Sequence, residues 1–155
     1  MALNIVTGAG PRVGSSFVMQ RCKANGLKIH GQKFLNGLLP KAGNPKGYYD
    51  LLPDDVYLLE SGIAKVWPIA LSYVQVPIDK LVILERKDKD KQLKSIRAQM
   101  KREPVDFYIT AEELLELSNK YLTAWLNKNP NVDIRRYYTE DLDKDIKSIV
   151  KFLGD

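Results

Sequence analysis

The sequence contains a single cysteine, Cys22, and a single histidine, His30, among 155 residues. One cysteine cannot form an internal disulfide, which fits a reducing compartment, and we expect a cytoplasmic protein. One histidine excludes a histidine-rich metal site, and no other ligand cluster has metal spacing, so no metal is expected. The first residues lack a basic leader, and no segment reaches the roughly 18 apolar residues of a membrane span. Neither a signal peptide nor a membrane partner is therefore predicted.

Acidic residues are absent from positions 1–49, which hold seven lysines and arginines. A second basic block, 86–102, carries a net charge of +6, whereas 50–85 and 103–155 each carry −4. The overall charge of +5 is therefore the remainder of four unequal blocks. Two separate basic blocks favour two anion-binding positions over the continuous basic surface of a nucleic-acid-binding protein. The simpler alternative is that these cations are solvated surface residues.

Short apolar runs alternate with amphipathic segments along the chain. Strands are predicted at 3–7, 27–30, 63–67, 81–85 and 132–137, and helices at 15–23, 53–61, 88–102, 110–126 and 142–153, with a short helix near 69–76. In the helix over 88–102, Leu93, Ile96 and Met100 face the core, and a Thr110/Glu113 capping box begins the next helix. This order predicts an α/β fold in one domain, 1–155, with a parallel sheet of about five strands and helices on both faces.

A glycine-rich turn, GAGPRVGSS over 8–16, joins the first strand to the first helix. Such a turn lets backbone N–H groups converge on one anion, and the helix N-terminus adds partial positive charge. Arg12 adds a full charge and Ser15 and Ser16 add hydroxyl groups. The turn lacks the Lys of a Walker A motif and the third glycine of a dinucleotide fingerprint. An ordinary strand-to-helix turn with serine caps is the structural alternative.

The chain contains, in this order, PRVGSS (11–16), NPKGYYD (44–50), Arg86 with Ser95, and YTEDL (138–142) with FLG (152–154). Together these four segments resemble the sulfotransferase family, in particular its small bacterial and phage members. PRVGSS (11–16) is similar to the phosphosulfate-binding loop P-[KR]-S-G-T-[ST], with Val13 in place of the usual serine. NPKGYYD (44–50) resembles the segment N-P-x-G-Y-[FW]-E. Arg86 after a buried strand, with Ser95 nine residues on, resembles the 3′-phosphate motif, and YTEDL (138–142) with FLG (152–154) resembles the C-terminal segment.

The resemblance implies a three-layer P-loop fold that binds 3′-phosphoadenosine 5′-phosphosulfate (PAPS) as sulfuryl donor. The acceptor would be a hydroxyl or amine of a small molecule, carbohydrate or peptide, and no metal is required. The implied donor-binding residues are Gly10, Pro11, Arg12, Val13, Gly14, Ser15, Ser16, Arg86 and Ser95. Without the resemblance, Arg86 and Ser95 would be a solvated arginine and an ordinary helical serine.

The catalytic residues are Arg12, Lys65 and Asp50 in this interpretation. Arg12 would stabilise the charge that develops on the leaving group. Lys65 would reach the bridging oxygen or the acceptor, although a strand-edge lysine is the alternative. Trp67 stands where cytosolic members carry a histidine base, and Gly31-Gln32-Lys33 stands where tyrosylprotein members carry a glutamate.

The general base is consequently open among His30, Asp50 and Glu60. Asp50 ranks first because it matches the acidic position of the G-Y-[FW]-E segment. Four functions remain: an active sulfotransferase, a sulfotransferase-like nucleotide- or anion-binding protein without transfer activity, a nucleotide kinase-like P-loop enzyme, and a nucleic-acid-binding protein. The first is preferred, and the missing Walker lysine argues against the third.

Overall fold

The computed structural model describes residues 3–31, 59–102 and 108–155 of the chain. The strands in this part are β1 (Leu3–Gly8), β2 (Gly62–Lys65), β3 (Ile78–Glu85) and β4 (Asp133–Tyr138). The α-helices are α1 (Ser15–Ala24), α2 (Lys89–Arg102), α3 (Ala111–Lys128) and α4 (Leu142–Gly154). Two short 3₁₀ helices cover Pro68–Tyr73 and Thr139–Asp141.

The four strands form one sheet in the order β2-β1-β3-β4, and every pair is parallel. The predicted α/β fold with a parallel sheet is therefore confirmed. The predicted strand at 27–30 contributes only one isolated bridge, between Ile29 and Ile63, so four strands rather than five form within the described residues. The helix predicted over 53–61 lies outside the described residues except at 59–61, which are not helical.

Alternate side chains of the strands pack against helices on opposite faces of the sheet. Val82 and Leu84 of β3 join a cluster with α1 and α4, whereas Leu81 and Ile83 join a second cluster with α3 and the first 3₁₀ helix. The central strands are buried on both sides, which is why they appear in the sequence as continuous apolar runs. Helices on both faces are confirmed by this arrangement.

Local sequence signals explain where the helices begin. The Thr110 side chain accepts a hydrogen bond from the Glu113 backbone N–H at 3.1 Å, and the Glu113 carboxylate accepts one from the Thr110 backbone. This reciprocal pair is the predicted capping box, and it satisfies two otherwise unpaired N–H groups at the start of α3. Among the described residues, no helix is both long and apolar enough to cross a membrane.

The carboxyl ends of β1 and β3 lie side by side at the centre of the sheet. After β1 the chain turns into α1 on one face, and after β3 it continues through α2 to α3 on the other face. In open parallel sheets, ligands bind outside the strand ends where successive connections depart to opposite faces. The turn after β1 and the residues after Glu85 meet at this position.

Candidate functional site

The turn between β1 and α1 alternates in backbone handedness. Gly10 has a φ of 97°, Arg12 of 63° and Gly14 of 89°, all in the left-handed region. Arg12 is the one non-glycine residue with positive φ in the described part of the chain. A non-glycine residue held there costs about 1–3 kcal/mol and persists only where its surroundings impose the conformation. Alternating handedness of this kind turns neighbouring backbone N–H groups toward one concavity.

Gly8 allows the turn to close tightly at its start. A Cβ atom at Gly8 would lie 2.8 Å from the carbonyl oxygen of Gly10 and 2.5 Å from Cγ2 of Val13. Because a real Cβ does not approach backbone that closely, a side chain here would force the turn open. The closeness of Gly10 and Val13 therefore leaves room only for glycine at position 8.

The Arg12 guanidinium is held across the turn by α2. Its Nε donates a hydrogen bond to Ser95 Oγ at 2.9 Å, over a separation of 83 residues. Arg86 follows β3 and donates from Nη1 to the Arg12 carbonyl oxygen at 3.3 Å. Three of the predicted site residues thus come from different parts of the chain and meet at one point. Arg12 of the first basic block and Arg86 of the second therefore lie at the same turn.

Lys65 lies at the carboxyl end of β2 and is 6% exposed. Its Nζ donates a hydrogen bond to Ser16 Oγ at 3.3 Å and lies 5.2 Å from the centroid of the Trp67 ring. Lys65 is therefore buried although β2 is an outer strand of the described sheet. Its buried ammonium adds a second cation beside the first turn of α1, whose N–H groups have no partner within the helix.

Val13 and Ser15 are both buried, at 1% and 6% exposure. The Val13 side chain packs in the cluster under α1 and α4. The valine that stands where the similar loop motif has a serine therefore makes an apolar contact with the core. The Val13 carbonyl lies at the turn and accepts a hydrogen bond from Thr139 Oγ1 at 2.7 Å.

Two of the three candidate bases, His30 and Glu60, lie away from this turn. His30 Nε2 lies 3.2 Å from the Ser61 carbonyl oxygen, beside the first residue of β2, and Glu60 forms a 4.0 Å ion pair with Lys28 in which both side chains are mostly exposed. Both therefore lie at the amino end of β2, away from Lys65. Asp50, with the rest of the 44–50 segment, lies outside the described residues.

An apolar cavity of about 290 Å³ opens beside the turn. It lies between the start of the first 3₁₀ helix and the facing surfaces of α2 and α3. Its lining consists of Pro11, Trp67, Pro68, Ile69, Ile96, Gln99, Met100, Leu114 and Ser118. Pro11 belongs to the turn and Trp67 contacts Lys65, so the cavity adjoins the cluster of cations.

Three lysines of the second basic block are paired with acids. Lys87 Nζ lies 3.2 Å from Asp141, and Lys89 lies 3.6 Å from Glu85. Lys91 lies 4.0 Å from Asp88 in a more exposed pair. These contacts neutralise part of the charge that the sequence concentrates in 86–102. The block therefore does not present a uniform cationic surface of the kind that binds a phosphate backbone.

Gln92 and Thr139 contact the turn but were not among the predicted site residues. Gln92 is fully buried on α2 and Thr139 is the first residue of the second 3₁₀ helix. Gln92 lies within a lysine-rich, strongly polar segment, which gives no sequence signal of burial. Thr139 lies inside the YTEDL segment, and the resemblance of that segment is the sequence signal that could have pointed to it.

No protein-family model matches the chain, and no curated protein matches it.

Proposed function

We propose that the chain is a sulfotransferase of the P-loop type, which moves a sulfuryl group from PAPS to a hydroxyl or amine acceptor. The turn over 8–16 would hold the 5′-phosphosulfate, with Gly10, Pro11, Val13 and Gly14 shaping its backbone. Ser15, Ser16 and the N-terminus of α1 would donate hydrogen bonds to the phosphate. Arg86 and Ser95 would hold the 3′-phosphate, since an arginine can bind such a group with two parallel hydrogen bonds.

The observation that carries this proposal is the meeting of Arg12, Ser95 and Arg86. The Arg12 side chain contacts Ser95 at 2.9 Å, and the Arg86 side chain contacts the Arg12 backbone carbonyl at 3.3 Å, in the turn that leads into α1. Arginine side chains and helix N-termini are groups that bind phosphate in proteins. A nucleotide with anionic groups at its 5′ and 3′ positions would use both arginines.

The proposed reaction follows from where charge develops. The acceptor oxygen or nitrogen forms a bond to sulfur while the bond between sulfur and the bridging phosphate oxygen breaks. Negative charge then grows on the bridging oxygen, and Arg12 and the buried Lys65 are the cations placed to stabilise it. The acceptor proton passes to a base, for which Asp50 remains the prediction. The leaving group is 3′-phosphoadenosine 5′-phosphate.

The cavity beside Pro11 and Trp67 favours a small-molecule acceptor with an apolar body over a carbohydrate. A lining of aromatic, proline and aliphatic side chains gains free energy by removing apolar surface from water. Gln99 and Ser118 are its polar members. A sugar would leave most of its hydroxyl groups without partners against such a wall.

A nucleotide-binding protein without transfer activity is the second candidate. It is favoured by one observation: His30 and Glu60, two of the three candidate bases, lie at the amino end of β2. Binding and transfer must therefore be measured separately.

Binding is tested by titrating the protein with 3′-phosphoadenosine 5′-phosphate in a calorimeter. We expect Arg12→Ala and Arg86→Ala each to weaken binding at least about tenfold, because each removes a charge-assisted hydrogen bond to phosphate. Lys94→Ala is the matched control, since it removes one exposed positive charge from the same helix as Ser95. Equal losses in all three variants would mean that only net charge matters, and no binding by the wild-type protein at low salt would refute the proposal.

Transfer is tested with ³⁵S-labelled PAPS and a panel of apolar alcohols, phenols and amines beside simple sugars. Label on an apolar acceptor, reduced by Asp50→Asn with nucleotide affinity unchanged, is the expected result. Nucleotide binding without label on any acceptor would favour the second candidate.

A further inference from the structure

The carbonyl oxygens of the turn are drawn into the protein by side chains from two distant segments. A bound anion is attracted by backbone N–H groups and repelled by carbonyl oxygens, so a phosphate-binding turn must direct the two kinds of group in opposite directions. We propose that Gln92 and Thr139 are the positioning residues that impose this orientation on the turn. The inference rests on the proposed function for the identity of the anion.

Gln92 holds the first half of the turn. Its Nε2 donates to the Pro11 carbonyl oxygen at 2.8 Å and to the Ala9 carbonyl oxygen at 3.3 Å. Since both partners can only accept, the amide must present its nitrogen, and the opposite orientation would place Oε1 against two other oxygens. The Gln92 amide also lies close to the backbone of Gly10, since a Cβ atom at Gly10 would be only 3.0 Å from Gln92 Nε2.

The environment of Gln92 separates this role from ordinary packing. The residue is completely buried, and its Oε1 has no hydrogen-bond partner within the described residues. A buried acceptor without a partner destabilises the fold, whereas an apolar side chain of the same length would not carry that penalty. What glutamine supplies and methionine does not is the pair of N–H groups directed at the turn.

Thr139 holds the second half from the other side. Its Oγ1 lies 2.7 Å from the Val13 carbonyl oxygen and 3.4 Å from that of Glu85, at the end of β3. It therefore ties the turn to the neighbouring strand end. Gln92 arrives on α2, which follows β3, and Thr139 arrives directly after β4. The turn is clamped between them, and the Arg12 carbonyl between the two contacts is held by Arg86.

Near-isosteric variants test this clamp. Gln92→Met and Thr139→Val remove the donors and keep the volume, and each is expected to weaken binding of 3′-phosphoadenosine 5′-phosphate about tenfold. Asn4→Leu is the control for the amide, since Asn4 Nδ2 donates to the Leu153 carbonyl at 2.8 Å away from the turn. Thr7→Val is the control for the hydroxyl, because the buried Thr7 Oγ1 has no partner among the described residues. Both controls should bind as the wild type does.

Two conservative variants distinguish orientation from general stability. Thr139→Ser keeps the hydroxyl and should restore binding to within about twofold of wild type. Gln92→Glu should bind better at low pH, where its carboxyl is protonated and can donate to one carbonyl, and progressively worse as rising pH ionises it against two oxygens. The nucleotide affinity of the wild-type protein should not fall with rising pH in this way.

Backbone amide hydrogen exchange of Gly10 and of residues 12–14 without ligand makes the test independent of the nucleotide. Faster exchange in Gln92→Met and Thr139→Val than in their controls supports the clamp, and unchanged exchange together with unchanged affinity overturns it. If the wild-type protein binds neither the nucleotide nor inorganic sulfate, the proposed function fails, and the exchange rates alone decide whether Gln92 and Thr139 hold the turn.

Discussion

The two ends of the sheet use the same types of side chain in different ways. At the amino end, Asn4 and Lys80 donate to the carbonyl oxygens of Leu153 and Phe152, at 2.8 and 2.9 Å, and so cap the last turn of α4. At the carboxyl end, an amide and a cation, Gln92 and Arg86, also donate to carbonyl oxygens, but those of an irregular turn.

The difference lies in what remains after the carbonyl groups are satisfied. Capping the end of α4 completes a helix, and nothing further is required of Asn4 or Lys80. Holding the carbonyls of the turn leaves the N-terminus of α1, with Arg12 and Lys65, facing the strand ends. Similar hydrogen bonds therefore complete a helix at one end and shape the proposed binding site at the other.

The largest effect in this comparison is expected from glycine substitutions at the two ends of α1. Gly14→Ala places a side chain at a φ of 89° with its Cβ 2.6 Å from Leu142, and should lower the free energy of unfolding by about 2–4 kcal/mol. Gly26→Ala meets the same type of strain at a φ of 78° but no atom within 4 Å, so about 1 kcal/mol is expected. Urea denaturation measures both. Equal losses would show that contact with Leu142 adds nothing, and nucleotide affinity should fall in Gly14→Ala alone.

A smaller effect is expected from removing the cation at each end. Lys80→Met loses the hydrogen bond to the Phe152 carbonyl and a ring contact at 5.3 Å, and should reduce stability by about 1 kcal/mol without changing nucleotide affinity. Arg86→Met should reduce affinity as Arg86→Ala does. Calorimetric titration and thermal unfolding of both variants check this, and a comparable loss of affinity in Lys80→Met would contradict a difference between the two ends.

The smallest effect concerns Cys22, which lies on the buried face of α1. Burial raises the pKa of its thiol from 9.0 to about 11. The folded protein therefore retains the thiol proton where the unfolded chain loses it, so this contribution to stability is complete below pH 9 and declines as pH rises toward 11. At pH 8, iodoacetamide should alkylate Cys22 far more slowly in the folded protein than in urea. Equal rates would show that the thiol is accessible.

The sequence predicted the strands well because burial on both faces leaves a continuous apolar run. The run at 81–85 lies within β3, and the run at 132–137 differs from β4 by one residue at each end. The run at 27–30 is also partly apolar, but it pairs with β2 only through the bridge between Ile29 and Ile63. Pairing depends on a neighbouring strand, which a local pattern does not contain.

The candidate site was predictable only where strand ends determine position. Arg12 and Arg86 follow adjacent strands, so their proximity could be expected from a parallel sheet, while their binding of a nucleotide stays a prediction. Gln92 could not be found in this way, since its burial depends on a turn more than 80 positions earlier in the chain. Thr139 likewise acts on a carbonyl group 126 positions away. Such contacts arise from tertiary structure and leave no periodicity in the sequence.

The left-handed backbone of Arg12 has an evolutionary consequence. At a φ of 63°, glycine would relieve the strain at this position, and it would be the preferred residue under selection for thermal stability alone. Arginine there gives up part of the folding free energy in exchange for a guanidinium held in place. Random mutagenesis screened for heat resistance would thus drift away from Arg12, whereas a screen for the proposed nucleotide binding would retain it.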